Sequence, residues 1–455
     1  MKRALILMAA VVLAGCSSTT ASPVPTAAPT PTTAPGESAA PTTATSAAPS
    51  IDMTTPITVW IDQPRQPAID AYIAAHPAAK SAIKSVIVDR ETFPSKVLLF
   101  NNTGSGWPDV VFAEPRLVAR VADAAHNFPL DLTGKVPADQ LANYSGLSNC
   151  TFNGKVYCVR NDLAQMVTYY NKPLMDKFGY TVPTTFEEMQ ALSDKVAKDH
   201  PGYLLGTLGD GWTFLSFFEA SGCPTHNVKD AGTLLINVAD PACVRAANLV
   251  DHMIANKTLW NTDYFDASFV KQANANKLLM MIAPDWAALG TFKGTYYTDK
   301  TSPKVTDKFL AVAAPLKWAA DAKAQTGAMG GAGWTVSQHT KNVSLSVDLI
   351  EWVTQNAGFW KGTTNFPAYK PLQAEFQAAV SSDPIFASDP FPAMAAAADL
   401  ISPLDNWPRF DLIAPLNTVV KDAYSKKQTV LATLPEVVTA FTPLAQAQGY
   451  NVVSQ

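Results

Sequence analysis

Charge is scarce in this chain. Only 16% of its 455 residues are charged, and 34 Lys and Arg stand against 38 Asp and Glu for a formal net charge of −4. No basic tract appears, so neither nucleic acid nor an anionic membrane surface finds an electrostatic footprint to bind. Histidine is sparse: the six residues at 76, 126, 200, 226, 252 and 339 lie far apart, without metal-ligand spacing. Five cysteines are present and no Cys-x-x-Cys occurs, which argues against a metal site; no cofactor is expected either. The sequence also lacks His-Glu-x-x-His, Gly-x-Ser-x-Gly, Gly-x-x-x-x-Gly-Lys and Gly-x-Gly-x-x-Gly. Those gaps remove the usual signatures of zinc and serine hydrolases, phosphate-loop enzymes and dinucleotide enzymes. A carboxylate pair for glycoside hydrolysis is not removed, because its spacing exists only in space. Internal repeats, heptads and a membrane-spanning run are missing as well.

The N-terminus does carry a pattern. Lys2 and Arg3 precede an apolar run from Ala4 to Leu13, and Leu13-Ala14-Gly15-Cys16 follows. The run is shorter than the roughly 20 apolar residues of a spanning helix, and reads as an export signal over residues 1–15. Leu-Ala-Gly-Cys resembles a bacterial lipobox, which implies a lipid on Cys16 as the first mature residue. Residues 17–50 are almost wholly Ala, Thr, Ser and Pro, with Glu37 their only charge. Such a segment cannot bury a core and is expected to be a disordered tether, glycosylated or bare, within residues 16–55. At about 3.1 Å per residue when extended, it would reach on the order of 100 Å.

Without Cys16, four cysteines remain, and an even count in an exported chain points to two disulfides. Of the three pairings, the two local ones are favoured. Cys150 and Cys158 flank Asn153-Gly154-Lys155 and would face each other across a hairpin with a three-residue loop; Cys223 and Cys243 flank a loop and a helix start.

The body, from about residue 56 to 455, is long enough for two domains. Ile57 to Ile61, Ser85 to Val88 and Trp107 to Phe112 read as strands. Helical patterns lie between and after them, one beginning at Pro67, one from Phe93 to Asn101 and one from Leu117 to Ala125. Strand alternating with helix predicts an α/β fold with a mainly parallel sheet, whose ligands bind at the carboxyl ends of the strands. Thr184-x-x-Glu187 reads as a capping box opening a helix with Phe186, Met189, Leu192 and Val196 on one face. Lys277 to Pro284, Leu310 to Leu316 and the segment after Gly330-Gly331-Ala332-Gly333 read as further strands, followed by a helix from Asn342 to Val353.

One stretch organises the rest. Val156 to Lys172, VYCVRNDLAQMVTYYNK, follows an Asn153-Gly154 turn and precedes Gly179 and Val182-Pro183-Thr184-Thr185-Phe186-Glu187-Glu188. Pro108-Asp109-Val110-Val111, Asp131-Leu132, Ser221-Gly222, Pro284-Asp285-Trp286, Asn365-Phe366-Pro367 and Asn406-Trp407-Pro408 stand before and after it in order. Together they resemble the maltose-binding-like solute-binding proteins of ABC sugar importers over nearly all of residues 56–455. The resemblance implies a periplasmic-binding-protein-like fold: two lobes of helix-covered sheet, a hinge and a cleft between them. Lobe 1 is expected to hold 56–160 and 308–355, and lobe 2 to hold 161–307 and 356–455.

A sugar presents hydroxyls on its rim and weakly apolar faces, so its site needs aromatic rings and charged hydrogen-bonding groups. By resemblance, Trp286 is the stacking tryptophan, although Ala-Pro-Asp-Trp replaces the family's usual Gly-Pro-Trp and makes Asp285 an added candidate. Trp212 and Trp407 align with cleft aromatics, with Arg409 beside the latter. Trp334 is a candidate for the cleft floor, and core packing is the competing role for each of these rings. Asp62 and Arg65 follow the first strand, Glu114 and Arg116 the third, and Asn161 and Asp162 lie in the hinge stretch; surface charges or local salt bridges are their competing roles. The resemblance implies a monomeric, lipid-anchored, non-enzymatic substrate-binding protein of an ABC importer. It would carry a mono- to oligosaccharide to a membrane permease from the extracytoplasmic face. Polyamine, metal-chelate and glycerophosphodiester ligands stay open within the same fold. An exported glycan-active hydrolase and a sensor or adhesin lipoprotein are the rival readings.

Overall fold

The computed structural model describes residues 50–296, 308–361, 363, 365–404 and 406–455. The export signal, Cys16 and the Ala/Thr/Ser/Pro segment to residue 49 lie outside the described residues.

Three strands open the body. β1 (Ile57–Ile61) leads through the helix Gln66–Ala75 to β2 (Ile83–Ile87), and the helix Phe93–Thr103 leads on to β3 (Val110–Ala113). β2 and β3 both pair in parallel with β1. All four residues of β3 are buried, the pattern of a parallel strand covered on both faces.

The Asn-Gly signal marks a hairpin of β4 (Thr151–Phe152) and β5 (Lys155–Val156). Its loop has two residues, not three. Asn153 (φ 53°) and Gly154 (φ 76°) both take left-handed backbone, as the type I′ turn that suits strand twist demands. Lys155 therefore belongs to the second strand. Cys150 and Cys158 close this hairpin in a disulfide, and Cys223 pairs with Cys243.

β6 (Val159–Arg160) precedes β7 (Met166–Asn171), and β8 (Asn227–Val228), β9 (Thr233–Leu235), β10 (Met280–Pro284), β11 (Leu310–Ala313), β12 (Gly333–Val336) and β13 (Asn451–Val453) follow. The main sheet runs β2-β1-β3-β12-β6, a second runs β10-β7-β11, and a small third runs β13-β9-β8. The chain thus leaves the main sheet after β6 and enters the second at β7. Parallel pairing holds for β1 to β3, whereas β10 and β11 both pair antiparallel to β7. More than a hundred residues separate β7 from β10, so no single crossover helix dictates their direction. The residues around β11 were expected with the first lobe. Hydrogen bonding places β11 beside β7, in the second sheet, and the return to the main sheet comes only at β12, antiparallel to β3.

The capping box sits one residue later than its spacing predicts. Thr185 accepts from the Glu188 amide, and Glu188 reaches back to Thr185. Glu187 accepts instead from the Ala319 amide at 3.0 Å. The apolar face still comprises Phe186, Met189, Leu192 and Val196. Among the described residues the helix Val430–Ala447 is long and apolar enough to cross a membrane. Here it packs on the helices Ile413–Ser425 and Pro241–Ala255, with Leu434, Val437 and Phe441 buried.

Candidate functional site

The parallel strands β1, β2 and β3 deliver their carboxyl ends to one edge of the main sheet. Asp62 and Arg65 follow β1, Arg90 and Glu91 follow β2, and Glu114 and Arg116 follow β3. These six side chains form one network. Arg90 Nη1 meets Glu114 at 3.0 Å and its Nε meets Asp62 at 3.6 Å. Arg116 Nη2 meets Glu114 at 2.9 Å, and its guanidinium pairs bidentately with Glu91. Arg65 reaches Asp62 at 3.8 Å and lies 4.4 Å over the Phe112 ring.

Arg116 is the centre of this network and is 6% exposed. Burial works against its charge, but Glu114 and Glu91 more than offset it, so the guanidinium is held above its ordinary pKa. Two buried atoms of the network, Arg116 Nε and Asp62 Oδ1, have no partner among the described residues. A donor and an acceptor are thus left over at the strand ends, the complement a sugar hydroxyl needs.

The opposite side is aromatic. The Arg116 guanidinium stands 5.3 Å from the ring centroid of Trp212. Trp212 lies in the first turn of the helix Gly211–Ser221, which Asp210 caps by accepting from the Thr213 amide at 2.7 Å. Trp212 meets Trp407 edge-on, their centroids 5.6 Å apart. Arg120, one turn beyond Arg116, reaches Asp411 at 3.9 Å. Past this junction opens a groove of 1330 Å³, lined by Ala119, Trp407 and Tyr450 among others.

Six of the expected residues therefore meet: Asp62, Arg65, Glu114, Arg116, Trp212 and Trp407. Arg409 does not join them. Its guanidinium donates to the carbonyls of Ala231 and Gln448 and lies 4.2 Å over Tyr450, so it braces loops at the groove's edge.

Four other expected ligand residues form a buried tie between chain crossings. Asp162, 3% exposed, accepts from the Ala332 amide at 3.0 Å and from Asn365 Nδ2 at 2.8 Å. Asn161 accepts from Trp334 Nε1 at 3.1 Å, and Trp334 itself is fully buried against Phe112. Asp285 accepts from the Phe366 amide at 2.8 Å. Burial pushes the Asp285 carboxyl up to about 8, and Asp162 adds to the shift. Trp334 is a core residue because β12 sits inside the main sheet, flanked by β3 and β6. Trp286 is half-buried, donates to the Met329 carbonyl at 3.2 Å and has Tyr264 as its ring neighbour, 6.4 Å away. The structure does not bring it into ring contact with Trp212 or Trp407.

Arg90, Glu91, Arg120 and Asp411 were not anticipated. Arg90 and Glu91 follow β2 as Asp62 follows β1, so the rule that singled out the other strand ends also identifies them. Arg120 and Asp411 carry no comparable signal, because their meeting depends on how the helix Pro115–Val121 approaches the loop after Trp407.

Residues 78–390 match the family model described as bacterial extracellular solute-binding protein. The maltodextrin-binding protein MdxE of Bacillus subtilis (strain 168) is 21% identical over 295 residues, which span 62% of this chain and 66% of that relative. The GacH receptor of Streptomyces glaucescens, solved unliganded and with acarbose, superposes with a TM-score of 0.66 at 19% identity, covering 87% of this chain and 99% of the receptor. The galacto-N-biose/lacto-N-biose I-binding protein of Bifidobacterium longum gives a TM-score of 0.70 at 17% identity, covering 88% and 99%. At these identities the two structures establish a shared fold.

Proposed function

The chain belongs to the bacterial extracellular solute-binding proteins, and on that premise we propose that it binds a carbohydrate where Arg116 faces Trp212 and serves an ABC importer. One observation carries this reading: a carboxylate–guanidinium network at three strand ends is centred on Arg116, whose guanidinium carbon stands 5.3 Å from the ring centroid of Trp212 in the other lobe. Rim hydroxyls suit the network, in which buried Arg116 Nε and Asp62 Oδ1 lack partners among the described residues, and a sugar face suits the indoles. The MdxE relative, named for binding maltodextrin, supports the ligand class.

In this reading the main sheet forms one lobe, and the second and third sheets form the other, with β11 in the latter. The segments tied by Asp162, Asp285 and Asn365 are the hinge. Ligand touching both the strand-end network and Trp212 favours the closed arrangement, which docks as a monomer on a membrane permease. Cys16 is the lipid anchor, residues 16–55 the tether, and the extracytoplasmic face of the cell membrane the location. Lipid chains contribute about 0.8 kcal/mol per buried methylene, so a multiply acylated Cys16 would hold the protein there.

Thermal unfolding of the full chain in detergent, against a panel of sugars and non-sugar solutes, tests the reading. A ligand at 100 times its Kd adds about 2.7 kcal/mol. A sugar that stabilises wild type but not Trp212→Ala supports it. Stabilisation by a polyamine or glycerophosphodiester alone would overturn the ligand class, and release of product from a glycan would overturn the binding role.

A further inference from the structure

The sequence has no basic tract, yet folding gathers lysines from distant segments at one end of the second sheet. β7 ends where β10 and β11 begin, because it runs antiparallel to both. The Lys172 amide donates to the Phe309 carbonyl at 2.9 Å. Past β10, extended segments at Leu204 and Thr258 continue the sheet: the Leu204 amide donates to the Lys277 carbonyl at 2.9 Å, and the Leu205 amide to the Thr258 carbonyl at 2.7 Å. One strand end after another thus carries a lysine: Lys308, Lys172, Lys277 and, past Tyr203, Lys257, all exposed. Adjacent strands lie about 4.8 Å apart, so the row spans roughly 20 Å.

The charge of this row is not cancelled. The nearby acids Asp176, Asp194 and Asp383 are engaged at 2.6 Å each by Lys172, His252 and Lys293. Lys257, Lys277 and Lys308 make no ion pair among the described residues. Nor do the turns require lysine. Lys257 (φ 59°) and Lys308 (φ 65°) take left-handed backbone, as does Asn276 (φ 57°) beside Lys277. Glycine or asparagine fits such backbone with less strain, so these lysines are better accounted for by what their ammonium groups meet.

An aromatic cluster adjoins the row. Half-buried Tyr203 meets Phe178 edge-on, 5.0 Å between centroids. His200 stacks on Phe178 at 3.7 Å, and the Tyr180 hydroxyl lies 2.6 Å from His200 Nδ1. Rings with an apolar body and a polar tip suit the boundary of a bilayer, and lysines suit its phosphates. A soluble phosphate polymer would use the lysines alone.

We infer that this end of the second sheet rests on an anionic phospholipid surface, with Lys257, Lys277 and Lys308 on the headgroup phosphates and the Tyr203 cluster beside them. The consequence is orientation. Leu204 to Thr207 leads from the row towards Asp210 and Trp212, so the Arg116–Trp212 junction lies at the opposite end of these strands, away from the bilayer. This rests on the membrane-anchored reading above: the lipid on Cys16 would keep the chain at the surface, and the lysine row would set which end lies against it.

Site-resolved lysine acetylation of the lipidated full chain tests it, on vesicles of phosphatidylglycerol and of phosphatidylcholine. On phosphatidylglycerol, labelling of Lys257, Lys277 and Lys308 should slow by about fivefold or more relative to phosphatidylcholine, the worth of one lysine at an anionic surface. Lys84 and Lys135, exposed elsewhere on the body, should label equally on both. The protection should vanish at about 1 M salt, where screening acts within about 3 Å. Lys257→Asn with Lys308→Asn, substitutions suited to left-handed backbone, should remove the protection of Lys277. Equal labelling on the two lipids overturns the inference while leaving the anchor intact. Protection by soluble polyphosphate but not by phosphatidylglycerol overturns the lipid as partner. Failure of the chain to float with either vesicle overturns the anchoring reading, and the orientation with it.

Discussion

Arg116 and Trp212 face each other with 5.3 Å between guanidinium carbon and ring centroid. One residue follows a strand of the main sheet, and the other lies in the first turn of a helix packed on the helices Ile413–Ser425 and Pro241–Ala255. In the proposed reading this contact links the two lobes at the ligand site. It is also stabilising in its own right, since a largely desolvated cation over an indole is worth about 2 kcal/mol.

Removing the cation should cost more than removing the ring. Among the described residues, Arg116→Ala leaves Glu114, 6% exposed, with Arg90 as its remaining charged partner, and breaking a buried pair typically costs about 3–5 kcal/mol. Urea unfolding should place Arg116→Ala at the low end of that range, because Glu91 is solvent-accessible and Arg90 remains. A loss below about 1 kcal/mol would show that the network does not hold the strand ends together.

The two disulfides should contribute unequally. Their partners are 8 and 20 residues apart in sequence, and loop-closure entropy grows with loop length, to about 3 kcal/mol near 15 residues. Cys223→Ser with Cys243→Ser should thus lower the urea midpoint more than Cys150→Ser with Cys158→Ser, and dithiothreitol should lower it in wild type but not in a variant lacking all four. The reverse order would mean that native packing, rather than chain entropy, sets their worth.

Asp285 should make the protein less stable as pH rises. Its carboxyl is raised by burial and by Asp162 to about 8, against about 4 in an unfolded chain. The stabilising difference is full below pH about 4. It is lost as pH rises towards 8, because the unfolded state releases the proton first. His226 acts in the opposite sense: its pKa of about 4 makes stability fall as pH drops below about 6.5, where the unfolded imidazole takes up its proton. Comparison with Asp285→Asn, which keeps an acceptor for the Phe366 amide, isolates the carboxyl. The variant should gain on wild type steadily between pH 4 and 8; a constant difference over that range would contradict the assignment.

Thr185→Ala should cost about 1 kcal/mol in helix stability, the usual worth of an N-cap. Thr184→Ala should cost less, since Thr184 only donates to Glu188 Oε2 from outside the helix. Equal losses in thermal unfolding would argue against the observed register.

What could be read before the structure follows from range. β1 to β3 and their helices were visible because apolar periodicity is local, and the strand ends followed from the parallel sheet. Asn153-Gly154 marked its turn, yet the loop length depended on two residues sharing left-handed backbone. The aromatic assignments divided. Trp212 meets Arg116, and Trp407 meets Trp212, through long-range packing, whereas Trp334 is enclosed by β3 and β6 and Trp286 turns toward Tyr264. Nothing in residue type separates these four tryptophans, because each stands beside glycine, proline or a polar neighbour. Asp162 and Asp285 were misplaced for a related reason: their partners lie on a chain segment about 170 residues away for one and about 80 for the other.

The most direct test is sugar-dependent thermal stabilisation measured in parallel on wild type, Trp212→Ala and Arg409→Ala. The account predicts that a sugar which raises the wild-type Tm raises that of Arg409→Ala as well, while Trp212→Ala, though folded, shows no shift. A shift that survives in Trp212→Ala, or the absence of any stabilising sugar, would contradict a carbohydrate site at the Arg116–Trp212 junction.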